Sequence, residues 1–392
     1  MSRFASTART DRRTAAAVRG VIDDLQEGLG VPDLVVLFCT GHHAPSRSGC
    51  VRAIQQAFPD AVVVGGVGAG VLGGGEEYEG VGAIAALGAV MPGVQLRPFH
   101  LDRALLQGEE EVAMAVADAV GDDLRGLMVL SDPYTFDLGA ALPAIGVAAA
   151  GAPIFGAQVS GAAPPGPHEL FLRDRVHGGG LVGLGFAGDL SVRTVVAHGC
   201  RPVGPPMFVT ACRGNRLLEL DGRPPTDVLR EVYEGLDPAD QRRFRGAQLL
   251  GVQMRDQEAY GRGDFLIRHL LGVPADGRGV ALGGTVERFA VVQLQVRDAA
   301  SAHEDLVERL SGLSPPAGAL LFTCVGRGRG LYGAPHHDSR CFQEEVGPTP
   351  MAGVFANGEV GSVQGEAFVH GYTSVFALFD RAAPAATGAR TG

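Results

Sequence analysis

The chain has 392 residues, long enough to bury a sizeable core without disulfides or a structural metal and, at about 150 residues per domain, to make two or three domains. Hydrophobic residues at 46% and charged residues at 19% exclude a disordered chain, and a net charge of −10 excludes the electrostatic footprint of a nucleic-acid binder. All 33 basic residues are arginine, which removes Schiff-base chemistry, a lysine general base and a phosphate-loop lysine.

Six cysteines (Cys39, Cys50, Cys200, Cys212, Cys324, Cys341) contain no C-x-x-C pair, so neither a zinc ribbon nor a thioredoxin-like motif is expected. The N-terminus has no apolar stretch between its charges, and the uncharged run from Leu138 to Pro167 is too rich in proline and glycine for a membrane span. The expectation is a reduced, soluble, cytoplasmic protein that contacts neither membrane nor nucleic acid.

In chain order, Asp33–Cys39 reads as a buried strand, Ser46–Phe58 as a helix, and Ala61–Val64 as a second strand ending in Gly65-Gly-Val-Gly-Ala-Gly70. After an acidic loop (Glu76, Glu77, Glu79), Val81–Leu87 is a third strand. The same order returns at Leu127–Ser131, a small-residue helix, Ile154–Gly161 and Gly179–Phe186. It returns again at Leu320–Cys324, a helix near Ser339–Glu345, Met351–Gly358 and Tyr372–Phe379. In all three the middle strand carries glycines five positions apart: Gly65/Gly70, Gly156/Gly161 and Gly353/Gly358. A strand–helix–strand step makes a parallel crossover, and the third strand can return antiparallel. The fold class is therefore α/β: mixed β-sheets with flanking helices, built from repeated strand–helix–strand–strand units in two pseudo-related lobes.

Between the second and third units, Gly199–Pro206 reads as a turn cluster and a domain boundary. Beyond it, Met207–Thr210 with Leu217–Gly222 reads as a hairpin, Asp227–Tyr233 as a helix, Phe265–Leu270 and Ala290–Arg297 as strands, and Ala300–Leu310 as a helix. The segment after Arg381 is of low complexity and is expected to be disordered.

The run Phe322-Thr-Cys-Val-Gly-Arg-Gly328, then Gly353-Val-Phe-Ala-Asn-Gly-Glu-Val-Gly361, then His370-Gly-Tyr-Thr373 resembles the FIST domain family. Stretches at Val209-Thr210, Leu220–Gly222, Leu266–Val273 and Val292–Asp298 agree, as do Phe4–Ser6, Asp33–Phe38 and His42-His43 nearer the N-terminus. The resemblance implies a FIST N-terminal domain over 4–200, a FIST C-terminal domain over 207–380 and a tail over 381–392. It also implies an intracellular sensory module that binds amino acids or similar small molecules. Members of the family often carry kinases or cyclic-nucleotide enzymes, some bind haem, and one branch joins an F-box. No such signature is present in this chain, so any output is expected to pass through a separate signalling protein.

Gly326-Arg-Gly-Arg-Gly330 follows a strand and precedes a helical stretch, so its backbone N–H groups can cradle an oxyanion while Arg327 or Arg329 grips a carboxylate. Gly328-x-Gly330-x-x-Gly333 and Gly68-x-Gly70-x-x-Gly73 match the dinucleotide pattern by spacing alone and lack its strand–turn–helix context. Asn357-Gly-Glu359 departs from the small residues at the matching places in the other units. A carboxylate at the mouth of a buried strand needs a partner, and Arg327 or Arg329 is the natural one. The expected ligand pocket therefore combines Arg327 as anion grip, Glu359 as acceptor for a ligand ammonium, Asn357 and Thr373 as orienting groups and His370 as a further contact. Cys324, Gly326 and Gly328 line it, and His42 and His43 close it. A structural ion pair is the plain alternative.

Two other chemistries stay open. Cys39/His42/His43/Cys50 and Cys324/His336/His337/Cys341 are each Cys–His–His–Cys runs, and His42, His43 and His370 are candidate haem ligands. A Cys–His hydrolase would use Cys324 or Cys39 as nucleophile. The first expectation remains a protein without cofactor and without catalytic residues.

Overall fold

The computed structural model describes residues 2–102, 108–161 and 168–381. The segment beyond Arg381, expected to be disordered, lies outside these residues. The described chain contains the same run of elements three times. The first repeat is β1 (Arg3–Arg9), α1 (Thr14–Leu29), β2 (Leu34–Thr40), α2 (Arg47–Ala57) and β3 (Val62–Gly68), then a hairpin of β4 (Gly70–Gly73) and β5 (Glu76–Glu79), then β6 (Ile84–Val90). The second is β7 (Val94–Leu101), α3 (Glu109–Val120), β8 (Leu124–Ser131), α4 (Leu138–Ala148) and β9 (Ile154–Gln158), the pair β10 (Leu170–Leu172) and β11 (Arg175–His177), then β12 (Leu181–Gly188).

The third repeat opens with β13 (Ser191–His198) and is then interrupted. The inserted elements are β14 (Cys200–Arg213), β15 (Arg216–Leu220), α5 (Pro225–Glu234), α6 (Pro238–Gly246), β16 (Leu249–Gln253), β17 (Phe265–Gly272), β18 (Val280–Leu282) and β19 (Val291–Arg297). The repeat resumes with α7 (Ala299–Leu310), β20 (Gly318–Cys324), α8 (Gly328–Tyr332), α9 (His337–Glu345) and β21 (Met351–Ala356). It closes with the hairpin β22 (Gly358–Val363) and β23 (Glu366–His370), then β24 (Thr373–Asp380).

Two compact units result. The first takes the described residues up to Val196, Arg309–Val369 and those from Ser374; the second takes Ala197–Glu308 and His370–Thr373. The boundary expected at 199–206 thus marks the start of an insertion rather than a cut into two sequential lobes, because residues 309–369 rejoin the first unit. Nor are the units pseudo-related. The second is a closed barrel in the order β14-β15-β18-β17-β16-β19, around a core that includes Val209, Leu250, Leu282 and Leu294. The expected turn cluster is part of its long strand β14. The ladder to β19 is broken between Val203 and Met207, and Gly204, Pro205 and Pro206 stand exposed in the bulge, where proline's missing N–H costs no ladder bond.

In the first unit the described strands make three six-stranded sheets of one pattern. In each, the first and second crossover strands run parallel (β2 with β3, β8 with β9, β20 with β21), and the closing strand returns antiparallel beside the first (β6, β12, β24). The fifth and sixth strands come from a different repeat. The β4–β5 hairpin of the first repeat joins β21 of the third, β10–β11 of the second joins β3 of the first, and β22–β23 of the third joins β9 of the second. The exchange is cyclic.

One core takes residues from all three sheets, including Phe38, Val64, Leu130, Phe155, Phe322 and Val354. Phe322 stands edge-on to Phe38 at 6.3 Å and 6.5 Å from Phe155. Outer sheet faces are covered by helices: α1 and α2 share a core with β2 and β3, and α3 and α4 share one with β8 and β9. Over the third sheet, Phe342 of α9 stacks on Phe376 at 5.1 Å.

The repeated glycines have a steric cause. A Cβ on Gly65, Gly156 or Gly353 would lie 1.8 Å from the carbonyl oxygen of Leu37, Val129 or Leu321 respectively, its neighbour across the parallel pair. Where the middle strands end, the repeats meet: Ser160 Oγ donates to the Phe355 carbonyl (2.5 Å) and accepts from Ala69 N–H (2.8 Å), while Asn357 N–H donates to the Gln158 carbonyl (2.9 Å). The first glycine of each pair therefore serves neighbouring backbone.

Candidate functional site

The third repeat places a buried ionic cluster at the outer face of its sheet. β20 is apolar until Thr323-Cys324, and the chain then turns through Val325 and Gly326 before α8. Arg327, at that turn, is 0% exposed. Its Nε donates to Asp338 Oδ2 at 2.9 Å and its Nη2 to Asp338 Oδ1 at 2.9 Å, the two-pronged geometry that fits guanidinium to carboxylate. Nη2 also donates to the Tyr332 hydroxyl at 2.7 Å. Asp338, in the first turn of α9, further accepts from Thr323 Oγ1 (2.9 Å) and Ser374 Oγ (2.6 Å), so its carboxylate receives donors from β20, β24 and Arg327.

These contacts set the local acidity. Burial alone would raise the Asp338 carboxyl, but the Arg327 charge and the converging donors hold it far below the usual carboxylate range. Tyr332 is pushed well above the ordinary phenol range by burial and by Asp338, and its ring stacks on His337 at 3.4 Å. Burial first, then Asp338, raises the Cys341 thiol to about 12, so it stands as a neutral core group.

The exchanged hairpin supplies the remaining acids. Glu77 and Glu79, two apart on β5, reach the third repeat. Glu77 Oε1 accepts from Ser339 N–H at 2.8 Å, and the Glu77 N–H donates to His336 Nδ1 at 2.8 Å. Glu79 Oε1 accepts from Arg329 N–H at 3.0 Å, and Gly328 lies so close that a Cβ would be 2.4 Å from the same oxygen. The oxyanion cradle expected at Gly326–Gly330 is thus filled by the protein's own Glu79. Glu77 is 3% exposed, and burial together with the Asp338 charge raises its carboxyl to about 7.

The expected pairing of Arg327 or Arg329 with Glu359 does not form. Arg327 is taken by Asp338 and Tyr332, Arg329 is exposed, and Glu359 lies buried on β22, opposite Ala157. Asn357 is exposed and donates Nδ2 to the Val159 carbonyl at 3.3 Å. Cys324 ends β20, where its sulfur accepts from Gly326 N–H at 3.4 Å. His370 and Thr373 fall in the second unit, His370 with its ring 5.6 Å from that of His198. His42 is exposed, and His43 is buried with Nδ1 3.0 Å from Thr14 Oγ1. Among the described residues no group of three or more His, Cys, Asp or Glu side chains is placed to hold a metal ion.

Sequence reasoning missed Asp338 and Glu77. Glu76–Glu79 reads as a solvated acidic loop, although the two-residue spacing of Glu77 and Glu79 would put both on one face of a strand. Asp338 carries an N-terminal helix signal, which says nothing of its orientation toward Arg327.

Three strand-exchanging repeats with a barrel inserted into the third, and an ion-paired cluster beneath one helix layer, define a two-unit α/β module. The family profile of the FIST N domain matches residues 33–223 and that of the FIST C domain residues 225–362. The chain belongs to the FIST family, whose domains are generally sensory domains of signal transduction. It is 38% identical over 381 residues to an uncharacterized protein of Mycobacterium tuberculosis (strain ATCC 25618 / H37Rv), covering 95% of this chain and 98% of the relative. It is 34% identical over 374 residues to an uncharacterized protein of Mycobacterium bovis (strain ATCC BAA-935 / AF2122/97), covering 94% and 95%. A cyanuric acid hydrolase from A. caulinodans aligns over 97% of this chain and 100% of its own at 10% identity and a TM-score of 0.33, too distant to carry an argument. No described helix is long and apolar enough to cross a membrane.

Proposed function

We propose that the chain is a small-ligand sensory module that responds to an amino acid or small carboxylate and passes its state to a signalling protein. FIST membership supports the sensory part. The ligand class rests on one observation: in a cluster where nearly every polar atom is bonded, Arg327 Nη1 and Glu77 Oε2 are buried with no hydrogen-bond partner. An orphaned guanidinium N–H and an orphaned carboxylate oxygen are costly when dry, and an amino acid carries the complementary groups, a carboxylate for Nη1 and an ammonium for Oε2.

Thermal-shift measurements against the twenty amino acids and a set of small carboxylates at millimolar concentration test this reading. At least one amino acid is expected to raise the melting temperature. Glu77→Gln should weaken that amino acid by about ten- to a hundredfold, the worth of one charged hydrogen bond, while sparing the carboxylate that lacks the amino group. If no compound shifts the transition, the ligand assignment fails.

A further inference from the structure

The first repeat holds a cleft of about 390 Å³ between α1 and α2, in which the ionic cluster of the third repeat takes no part. Its shape follows from the residues of the two helices. On α1, Thr14, Val18 and Ile22 recur every four residues and form one stripe about 12 Å long. On α2 the lining residues include the small Gly49 and Ala53, and a Cβ on Gly49 would meet nothing within 4 Å. The helices therefore leave a gap where larger residues would close a packed contact.

The cleft has a polar end and an apolar end. Both helices start at the polar end: Thr14 opens α1, Ser46 precedes α2, and His43, in the turn before α2, places Nδ1 3.0 Å from Thr14 Oγ1. Neither helix has a side-chain cap or an acid in its first turn, so two positive dipole ends stand uncompensated there. Arg19 adds a full positive charge to the α1 wall; it is exposed and forms no ion pair or hydrogen bond with a described residue. No described acid lines the cleft. Away from the helix starts the walls are hydrocarbon, from Val18, Ile22 and Ala53.

We propose that the α1/α2 cleft binds a small amphiphile with one carboxylate and an unbranched hydrocarbon tail, of the class of medium-chain fatty acids. The carboxylate lies at the end marked by Thr14 and Ser46, whose hydroxyls can donate to it, and Arg19 supplies the counter-charge. The tail runs along Val18 and Ile22, over Gly49 and Ala53, and is held by the apolar area it removes from water. Charge selects the head group: an ammonium there would meet a guanidinium and two positive helix ends with no acid to offset them. This site is distinct from the cluster of Arg327 and Glu77 and does not depend on the amino-acid reading of that cluster.

Isothermal titration calorimetry of the full chain with sodium octanoate tests the assignment. One octanoate is expected to bind per chain, about tenfold tighter than hexanoate, because two further methylenes leave water. Gly49→Phe fills the cleft from a helical position with free space around its Cβ, and should abolish octanoate binding while the circular-dichroism melt stays cooperative. Arg19→Gln should weaken octanoate about fivefold and leave octan-1-ol unchanged. Should Gly49→Phe fail to fold, Ala15→Phe, at an exposed position on the α1 wall, takes its place. Absence of octanoate binding, equal affinity for hexanoate and octanoate, or undiminished binding to the folded cleft-filling variant overturns the proposal.

Discussion

Arg327 and Asp338 each carry a full charge in the interior, and each is tolerable only because the other is there. Asp338→Asn leaves the guanidinium uncompensated and should cost about 3–5 kcal/mol in urea unfolding, far more than loss of an exposed pair such as Arg223–Glu231. Glu77 has the opposite effect. Its carboxyl is raised from an ordinary 4.5 to about 7 in the fold, so the folded state binds more protons than the unfolded state across that interval. Stability from this residue is therefore full below about pH 4.5, falls as pH rises toward 7, and stays low above it. Glu77→Gln should flatten that slope and, at pH 8, gain up to about 3 kcal/mol, measured by urea melts across the pH range. A variant as pH-dependent as the natural chain between pH 4.5 and 7 would refute this account of Glu77.

At the scale of the element, the glycine at the centre of each second crossover strand carries a sharper prediction. Gly65→Ala, Gly156→Ala and Gly353→Ala each drive a Cβ to 1.8 Å from a carbonyl oxygen of the paired strand, an obstacle that is backbone and not a flexible side chain. Each is expected to abolish soluble, cooperatively melting protein. Gly146→Ala, in α4 with nothing within 4 Å, should instead gain about 0.5–1 kcal/mol by helix propensity. These strands were legible from residues alone. Leu34–Cys39 and Gly318–Phe322 are unbroken apolar runs, and the glycine spacing named the repeat. The hairpins were not: Leu170–Leu172 and Arg175–His177 are three residues each, and Glu76–Glu79 is acidic, so none carries enough apolar period to stand out. Their stability comes from the strand they join. α1 and α3 also escaped notice, α3 because Glu109–Glu111 reads as a solvated face when it is the first turn of a helix, where acids oppose the dipole.

For the whole molecule, the cyclic exchange means that no repeat completes its own sheet. A fragment of residues 2–102 lacks the β10–β11 pair that covers β3 and should give no cooperative thermal transition by circular dichroism. A fragment of residues 197–308 keeps a closed barrel and its own core and should melt cooperatively. The sequence by itself determined the α/β class, the threefold repeat, the family and the prominence of Arg327, because each is written in local period, spacing or motif. Tertiary structure alone decided that the third repeat, interrupted in sequence by the barrel, rejoins the first two, and that Arg327 meets Asp338 rather than pairing with Glu359. Those outcomes depend on which sheet edge each hairpin joins, and edge pairing is settled by long-range backbone hydrogen bonds and burial that leave no period in the chain.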